Sequence, residues 1–266
     1  MAEIITSRSN PKIKEVRALR RRKAREAEGR FIVEGIWHIG EAIEAKAPVA
    51  ALFYAPELLK SQFAQDLVEK HCGHDIPCFR TSPEVFASIA EKENPQGILA
   101  IVQESPARLE DLDPESFPWS VALVSPQDPG NVGTILRTID AVGASGLLLL
   151  NNSVDPYHPS AVRASMGAIF WHPIAASSFE AFAGWARSQG YHIYGTSVHG
   201  KLSYRDVPTY QRPLVLLMGS EREGLTPEQA SVCESLVYLP MRGRVTSLNL
   251  AIATGVMLHA MMDPTR

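Results

Sequence analysis

The chain has 266 residues, 45% of them hydrophobic and 21% charged, with a formal net charge of −3. These proportions exclude a disordered, collagen-like or coiled-coil chain. The length lies between one large domain and two modest ones, and such a chain buries a core without disulfide staples. Three cysteines, Cys72, Cys78 and Cys233, are too few for a disulfide framework, and the opening MAEIITSRSNPKIKEV has no apolar stretch of the secretion-signal kind. A cytoplasmic location is expected from both.

Residues 1–30 carry ten Lys or Arg against four acidic residues, which leaves −9 for the remainder. Asn10-Pro11 reads as a cap followed by proline at the first helical position. Ile13, Val16 and Leu19 then recur on one side, with Lys12, Lys14, Arg17, Arg20, Arg21, Arg22, Lys23 and Arg25 on the others. The spacing predicts one basic amphipathic helix. Its charge fits either a solvated face or nucleic-acid contact, and its apolar stripe lacks the large aromatics of a membrane-surface helix. Beyond Gly29, short apolar runs at 31–33, 49–54, 76–79 and 98–102 alternate with helical patterns at 36–45, after Pro56, and from Ser82-Pro83-Glu84. That alternation is a small α/β unit. Residues 105–118 turn polar and proline-bearing, so a linker is expected between a domain at 1–104 and another at 119–266.

The second half restarts with apolar runs at 121–124, 147–150, 191–195, 214–218 and 236–239, of the continuous kind that suits parallel strands buried on both faces. Helices are expected at 132–142, 161–168 and 179–187, after Thr226-Pro227-Glu228, and from near Ser247. The apolar stretch at 248–262 is too short for a bilayer and carries Asn249, Thr254 and His259, so a buried helix is expected and no membrane association. No repeat or low-complexity tract is present in the sequence.

Three irregular segments each follow an expected strand and lead into a helix, where open α/β sheets place their ligands. In the first, SPQDPGNVGTILR (125–137), Pro129 and Gly130 are expected to form a tight turn, Gly133 to allow close backbone approach, and Arg137 to point back toward the turn. A guanidinium there binds phosphate bidentately. The second, LMGSEREGLT (217–226), is a near miss to a phosphate loop: Leu225 stands where the lysine must be, and Glu221 and Glu223 repel a triphosphate. A neutral or cationic ligand, such as an adenosine bearing a sulfonium, suits it better. No GxGxxG fingerprint occurs, which argues against an ordinary Rossmann site. In the third, LPMRGRVTSLNL (239–250), Ser247 and Asn249 stand at the mouth of an apolar helix, where a capping role of about 1 kcal/mol is the simplest explanation.

In this order, PGNVGTILRT, GSEREGL and LPMRGRVTSLNLAIA resemble the three motifs of the SpoU/TrmH family of RNA ribose 2'-O-methyltransferases, in the SPOUT superfamily. The likeness covers about residues 119–262 and is reinforced by VRASMGA (162–168). The N-terminal SNPKIKEVRAL and GRFIVEG resemble the RNA substrate-binding domain that many ribosomal-RNA members carry. The resemblance implies an α/β SPOUT fold with a parallel sheet and a C-terminal deep trefoil knot, a topology that general rules disfavour. It further implies a homodimer, with the last helix at its interface. S-adenosyl-L-methionine is the implied cofactor, bound largely by backbone groups at Gly219, Leu239 and Leu248, with Leu217 and Met241. The implied catalytic residues are Asn131, Arg137, Glu221, Ser247 and Asn249. Arg137 is the residue often assigned to activating the hydroxyl; a guanidinium stays protonated in water and is a poor base, and clamping a phosphate suits it better. RNA contacts are expected from Arg20, Arg21, Arg22, Lys23 and Arg163. The chain departs from the family pattern at Arg222, where many relatives have glycine, and at Ile139, a common alanine.

The expected activity is methyl transfer to a ribose 2'-hydroxyl of RNA, with ribosomal RNA of the 23S type as the preferred substrate. A transfer-RNA enzyme is the nearest alternative, and a non-catalytic RNA-binding or assembly factor is a rival from another class. His71, Cys72, His74 and Cys78 fit no usual paired-ligand spacing, so no metal site is expected, and lone cysteines are expected to act as buried hydrophobes. His158 and Tyr157 lie in a loop, 151–159, that suits either RNA contact or a simple turn. Trp171 and His172 are expected in the core.

Overall fold

The computed structural model describes residues 4–73 and 76–262. In chain order its elements are α1 (Pro11–Ala18), α2 (Arg22–Glu28), β1 (Arg30–Glu34), α3 (Ile36–Glu44), β2 (Val49–Tyr54), α4 (Gln62–His71), β3 (Cys78–Arg80), α5 (Pro83–Ala87) and β4 (Ile98–Gln103). There follow β5 (Trp119–Val124), α6 (Pro129–Val142), β6 (Gly146–Leu150), α7 (Pro159–Ala164), β7 (Ile174–Ser177), α8 (Phe179–Ser188) and β8 (His192–Thr196). The last are β9 (Leu202–Ser203), β10 (Leu214–Met218), α9 (Pro227–Ser231), β11 (Ser235–Tyr238) and α10 (Leu250–Met261). Two compact units emerge: one holds residues up to Ser105 together with Tyr157–Phe170, the other Pro106–Pro156 and residues from Trp171 onward.

In the first unit a four-stranded sheet runs β1-β4-β2-β3, antiparallel except between β2 and β3. Ile13, Val16 and Leu19 are fully buried against Ile32, Phe53, Phe86 and Leu99, so the apolar stripe of the basic segment faces this core. Asn10 caps α1 as expected, its side chain accepting from the Lys12 amide at 2.8 Å. The segment is not one helix, however. It breaks between Ala18 and Arg22, where Arg21 is extended at φ −92°, ψ 132°.

The cause is Arg25, which is 1% exposed and donates from one guanidinium nitrogen to the carbonyls of Leu19 and Arg20 at 2.9 Å each. It satisfies carbonyls that α1 leaves open at its end. Arg20 donates to the carbonyls of Ile89 and Ala90, Arg17 to the Ser88 hydroxyl, and Arg22 pairs with Glu26 one turn on. Much of the basic segment is therefore occupied with its own fold, whereas the side chains of Arg21 and Lys23 are exposed and make no hydrogen bond or ion pair among the described residues. Arg25→Ala is expected to lower stability by about 3 kcal/mol, because it opens a cavity and orphans two carbonyls. Denaturant unfolding measures this; a loss under about 0.5 kcal/mol would contradict the capping role.

The segment 157–170 packs on this same unit. Phe31 lies 4.7 Å from Tyr157 and 6.2 Å from Phe170, centroid to centroid, so Tyr157 is a core side chain. His158 caps α7. That helix ends at Ala164, short of the expected 168, because Met166 and Gly167 take positive φ of 53° and 103° before a 3-10 turn at Ala168–Phe170. The Gly167 position admits no side chain, since an added Cβ would lie 2.5 Å from Glu41. Buried His38 contacts the Arg163 carbonyl at 3.1 Å, and burial lowers its pKa below the ordinary 6.5 against the raising pull of that carbonyl. The unfolded chain then binds the proton more readily, so stability falls as pH drops through about 6.5. His38→Phe is expected to flatten that part of a stability-versus-pH curve, and an unaltered slope would rule His38 out as its source.

The second unit is built on a seven-stranded parallel sheet, in the order β7-β6-β5-β10-β8-β11-β9. Every residue of β5, β6 and β10 is buried, the pattern of strands covered on both faces. From β5 the chain winds outward through β6 and β7. It then crosses to the far side, and β10 inserts between β5 and β8. The strand order thus reverses between β5 and β10, the point at which open α/β sheets bind their ligands beside the carboxyl ends of the strands. β7 and β9 were not expected from the sequence; at four and two residues they are too short to show a period.

Residues 105–118 are more than a tether. Leu109, Leu112 and Phe117 are buried in the second core, the Leu112 carbonyl accepts from Trp185 Nε1 and the Phe117 carbonyl from the Tyr191 hydroxyl. Trp171, expected in the core, is 48% exposed, while half-buried His172 contacts Asp140 at 2.9 Å. The expected buried helix at the C-terminus, α10, is buried on one side only. Leu250, Thr254, Met257, Leu258 and Met261 face inward, where the helix packs on α6 and β10, and Ile252 and Val256 are 57% and 36% exposed. Among the described residues no helix is long and apolar enough to cross a membrane.

Cys72 and Cys78 are not lone hydrophobes: they form a disulfide that ties the end of α4 to β3, with their Cα atoms 5.3 Å apart. His74 lies outside the described residues, among which no metal-holding cluster occurs. Burial pushes the Cys233 thiol up to about 12, so it stays protonated and unreactive.

Candidate active site

The carboxyl ends of β5, β10 and β11 deliver the three irregular segments to one edge of the sheet. At the exit of β5, Ser125 takes a positive φ of 46°, and Asn151 does the same at the exit of β6 with 58°. Non-glycine residues hold that conformation where the surroundings over-determine it. Here the Gln127 side chain ties the two exits, donating to the carbonyls of Ser125 at 2.8 Å and Asn152 at 3.3 Å. Pro129 and Gly130 do not form a separate turn. They are the first residues of α6, which Asp128 caps by accepting from the Gly130 amide at 2.7 Å.

After β10 the chain folds back in a tight loop, in which Ser220 and Gly224 exchange backbone hydrogen bonds of 3.1 and 3.0 Å. Gly219 makes this closure possible. A Cβ there would fall 2.2 Å from the Gly224 carbonyl carbon and 2.4 Å from the Leu225 nitrogen. The loop holds Glu221 against α6: one carboxylate oxygen accepts from Asn131 Nδ2 at 2.6 Å and the other from the Gln127 amide at 3.2 Å. The Asn131 oxygen in turn accepts from Asn249 Nδ2 at 3.0 Å, while the Asn249 oxygen caps α10 through the amides of Ala251 and Ile252. Asn249 is therefore both cap and cluster member, and the helix starts at Leu250 rather than near Ser247.

Glu221, Asn131 and Asn249 thus form one hydrogen-bonded chain across all three segments. Asn131 is 8% exposed and satisfied from both sides, so it fixes the relative position of the loops. Arg137 and Ser247 do not join it. Arg137 lies six residues beyond Asn131 on α6, about 120° around the helix, its side chain exposed and without a hydrogen bond or ion pair among the described residues. Ser247 is likewise exposed and unbonded. Arg163 belongs to the first unit, where it pairs with Glu91 at 3.0 Å. Gln127 is the cluster residue that sequence reasoning missed as a participant: its contribution is a backbone amide, and no residue type signals that.

From Pro240 to Leu248 no backbone group bonds another among the described residues. All of this run but half-buried Met241 is exposed, so its amides and carbonyls are open to a partner from outside, and with Met241 and 39%-exposed Leu248 beside them they suit an apolar, hydrogen-bonding ligand. Leu239 is half-buried at the start of this run, Gly219 is buried at the loop's hinge, and Leu217 is fully buried in β10, behind the loop. These groups fit a nucleoside bearing a cationic sulfur: the carboxylate of Glu221 disfavours polyphosphate, and free amides and carbonyls serve the purine and ribose.

Residues 118–259 match the SpoU rRNA methylase family, which is more than half of the chain. The chain belongs to this family. Residues 10–100 of the SpoU protein also match the MRM3-like substrate binding domain. It is 34% identical to the 23S rRNA (uridine(2479)-2'-O)-methyltransferase of Streptomyces viridochromogenes, over 97% of this chain and 91% of that one. To the 23S rRNA (guanosine(2553)-2'-O)-methyltransferase RlmP of Bacillus subtilis it is 26% identical, over 96% and 97%. Its fold matches the crystal structure of an AdoMet-bound rRNA methyltransferase from Sinorhizobium meliloti with a TM-score of 0.89 and 35% identity, over 98% of this chain and 97% of that one. The α/β fold with a parallel-sheet domain is therefore that of a SpoU methyltransferase, as the motifs implied.

Proposed function

We propose that this protein transfers a methyl group from S-adenosylmethionine to a ribose 2'-hydroxyl of ribosomal RNA of the 23S type. The observation that carries the reading is the Glu221–Asn131–Asn249 chain, which gathers three motif loops at the switch point of a SpoU-family sheet. When bound, the cofactor supplies an electrophilic sulfonium methyl carbon. Gly219, Leu239, Leu248 and Met241 hold it mainly through backbone groups, with Leu217 backing the loop. Arg137 clamps a phosphate beside the target ribose and orients the hydroxyl for in-line attack, and much of the acceleration comes from that alignment. Ser247 accepts a hydrogen bond from the ribose hydroxyl, whose proton is released to water, and Asn249 steadies the loop that carries Ser247.

The remaining features belong to the same reading. Residues 1–104, with Arg163 of the segment that packs on them, bind the RNA substrate; of the expected contacts Arg20, Arg21, Arg22, Lys23 and Arg163, the side chains of Arg21 and Lys23 are the ones not already engaged by their own chain. Residues 105–118 link to the catalytic domain, 119–266. The return of α10 onto α6 and β10 supports a deep trefoil knot, and the exposed Ile252 and Val256 support a homodimer through α10. The cytoplasm is the proposed location.

The test is transfer of labelled methyl from S-adenosylmethionine to unmodified 23S and transfer RNA, with digestion of the products to nucleosides. A 2'-O-methyl nucleoside from 23S RNA alone is the expected result. The same product from transfer RNA alone would replace the substrate class. A protein with RNA affinity but neither transfer nor cofactor binding would replace the enzyme reading with a non-catalytic one.

A further inference from the structure

We propose that Arg222, Arg242 and Arg244 form a phosphate clamp for single-stranded RNA on the two loops that frame the cofactor site. The inference deepens the RNA methyltransferase reading and rests on it. All three side chains are exposed, and none makes a hydrogen bond or ion pair among the described residues. This sets them apart from most of the N-terminal basic segment, where Lys12, Arg17, Arg20, Arg22, Arg25 and Arg30 are engaged by carboxylates, carbonyls or a hydroxyl of their own chain.

Their placement follows from the fold. Arg222 is next to Glu221, whose carboxylate is fixed by Asn131 and the Gln127 amide, so its backbone is held at the mouth of the site while its side chain is free. Arg242 and Arg244 stand either side of Gly243 in the unbonded run that ends at the pinned Asn249. Residues 239–249 contain no acid, and of the two acids in the neighbouring loop the Glu221 carboxylate is engaged, leaving Glu223 as the one without a side-chain partner among the described residues. Three unpaired guanidiniums on two loops joined through Glu221, Asn131 and Asn249, in a chain that is −9 beyond its first 30 residues, are not explained by folding. A guanidinium fork matches a phosphate, and Arg242 and Arg244, at most about 7 Å apart along the chain, suit consecutive phosphates of one strand. The clamp would hold the strand on either side of the reacting ribose, a task distinct from that of Arg137.

The experiment is a salt titration of binding to a fluorescein-labelled 20-nucleotide oligouridine without cofactor. Each phosphate contact on a single strand contributes about 0.7 to the slope of log affinity against log salt. The triple variant R222Q/R242Q/R244Q is expected to lose about 2 from that slope, and R222K/R242K/R244K to keep most of it. The comparison variant K14Q/R21Q/K23Q, at unpaired cations of the N-terminal segment, is expected to lose less. A wild-type slope in the glutamine triple would overturn the clamp, as would a loss found wholly in the comparison variant. Should the triple not fold, single variants each read about 0.7. Calorimetric cofactor affinity of the unmodified protein is measured separately: its absence removes the methyltransferase reading, while the slope still decides the clamp.

Discussion

Arg137→Ala is expected to lower single-turnover methyl transfer by about 10³-fold while leaving cofactor affinity within a few-fold of the parent. The size follows from losing a preorganised cation and the alignment it enforces on the reacting hydroxyl. The selectivity follows from the structure. The Arg137 side chain is exposed, bonds no described residue, and lies about a third of a turn away from the face that carries Asn131. Removing it therefore leaves the Glu221–Asn131–Asn249 chain and the unbonded run at 240–248 intact, and alanine is the better helix former. Stability is expected to change by less than about 0.5 kcal/mol. Arg137→Lys keeps the charge without the planar fork and is expected to recover only part of the rate. Rates at saturating RNA and cofactor, with calorimetric cofactor binding alongside, check this division of labour; a large loss of cofactor affinity in Arg137→Ala would refute it.

Gly219→Ala has the larger structural consequence. Its added methyl would meet only main-chain atoms, at 2.2, 2.4 and 2.6 Å, and a backbone cannot step aside as a flexible side chain does. The loop must open, at the expense of the Ser220–Gly224 hydrogen bonds and the grip on Glu221. A fall in stability of about 1–3 kcal/mol and a cofactor affinity at least about 100-fold weaker are expected. Gly184→Ala is the matched control. It lies within α8 with nothing within 4 Å of an added Cβ, so it is expected to stabilise by up to about 1 kcal/mol and to leave binding alone. Thermal unfolding and calorimetry on both variants decide the matter: equal behaviour of the two would mean that close approach at Gly219 is not what shapes the site.

The sequence by itself determined the parts whose cause is local. The apolar runs of β5, β6 and β10 are strands because every residue is buried, and the caps at Asn10, Ser82 and Thr226 are set by side chains that reach their own helix amides. The family, and with it Asn131, Glu221 and Asn249 as a set, was legible because three motifs stand in order. Tertiary structure decided what depends on partners distant in the chain. Asn131 meets Glu221 90 residues away and Asn249 118 away, and the Gln127 amide that completes the cluster carries no residue signature. The basic segment breaks because Arg25 turns inward, and Arg20 is bound by carbonyls about 70 residues on, so counting charges there overstated the cations left for RNA. Trp171 is exposed and Tyr157 buried because a core side chain is defined by what packs over it, not by its own hydrophobicity. Local periodicity is written within one turn or one strand, whereas a binding site is made where loops from separate strands meet, and that meeting is a property of strand order.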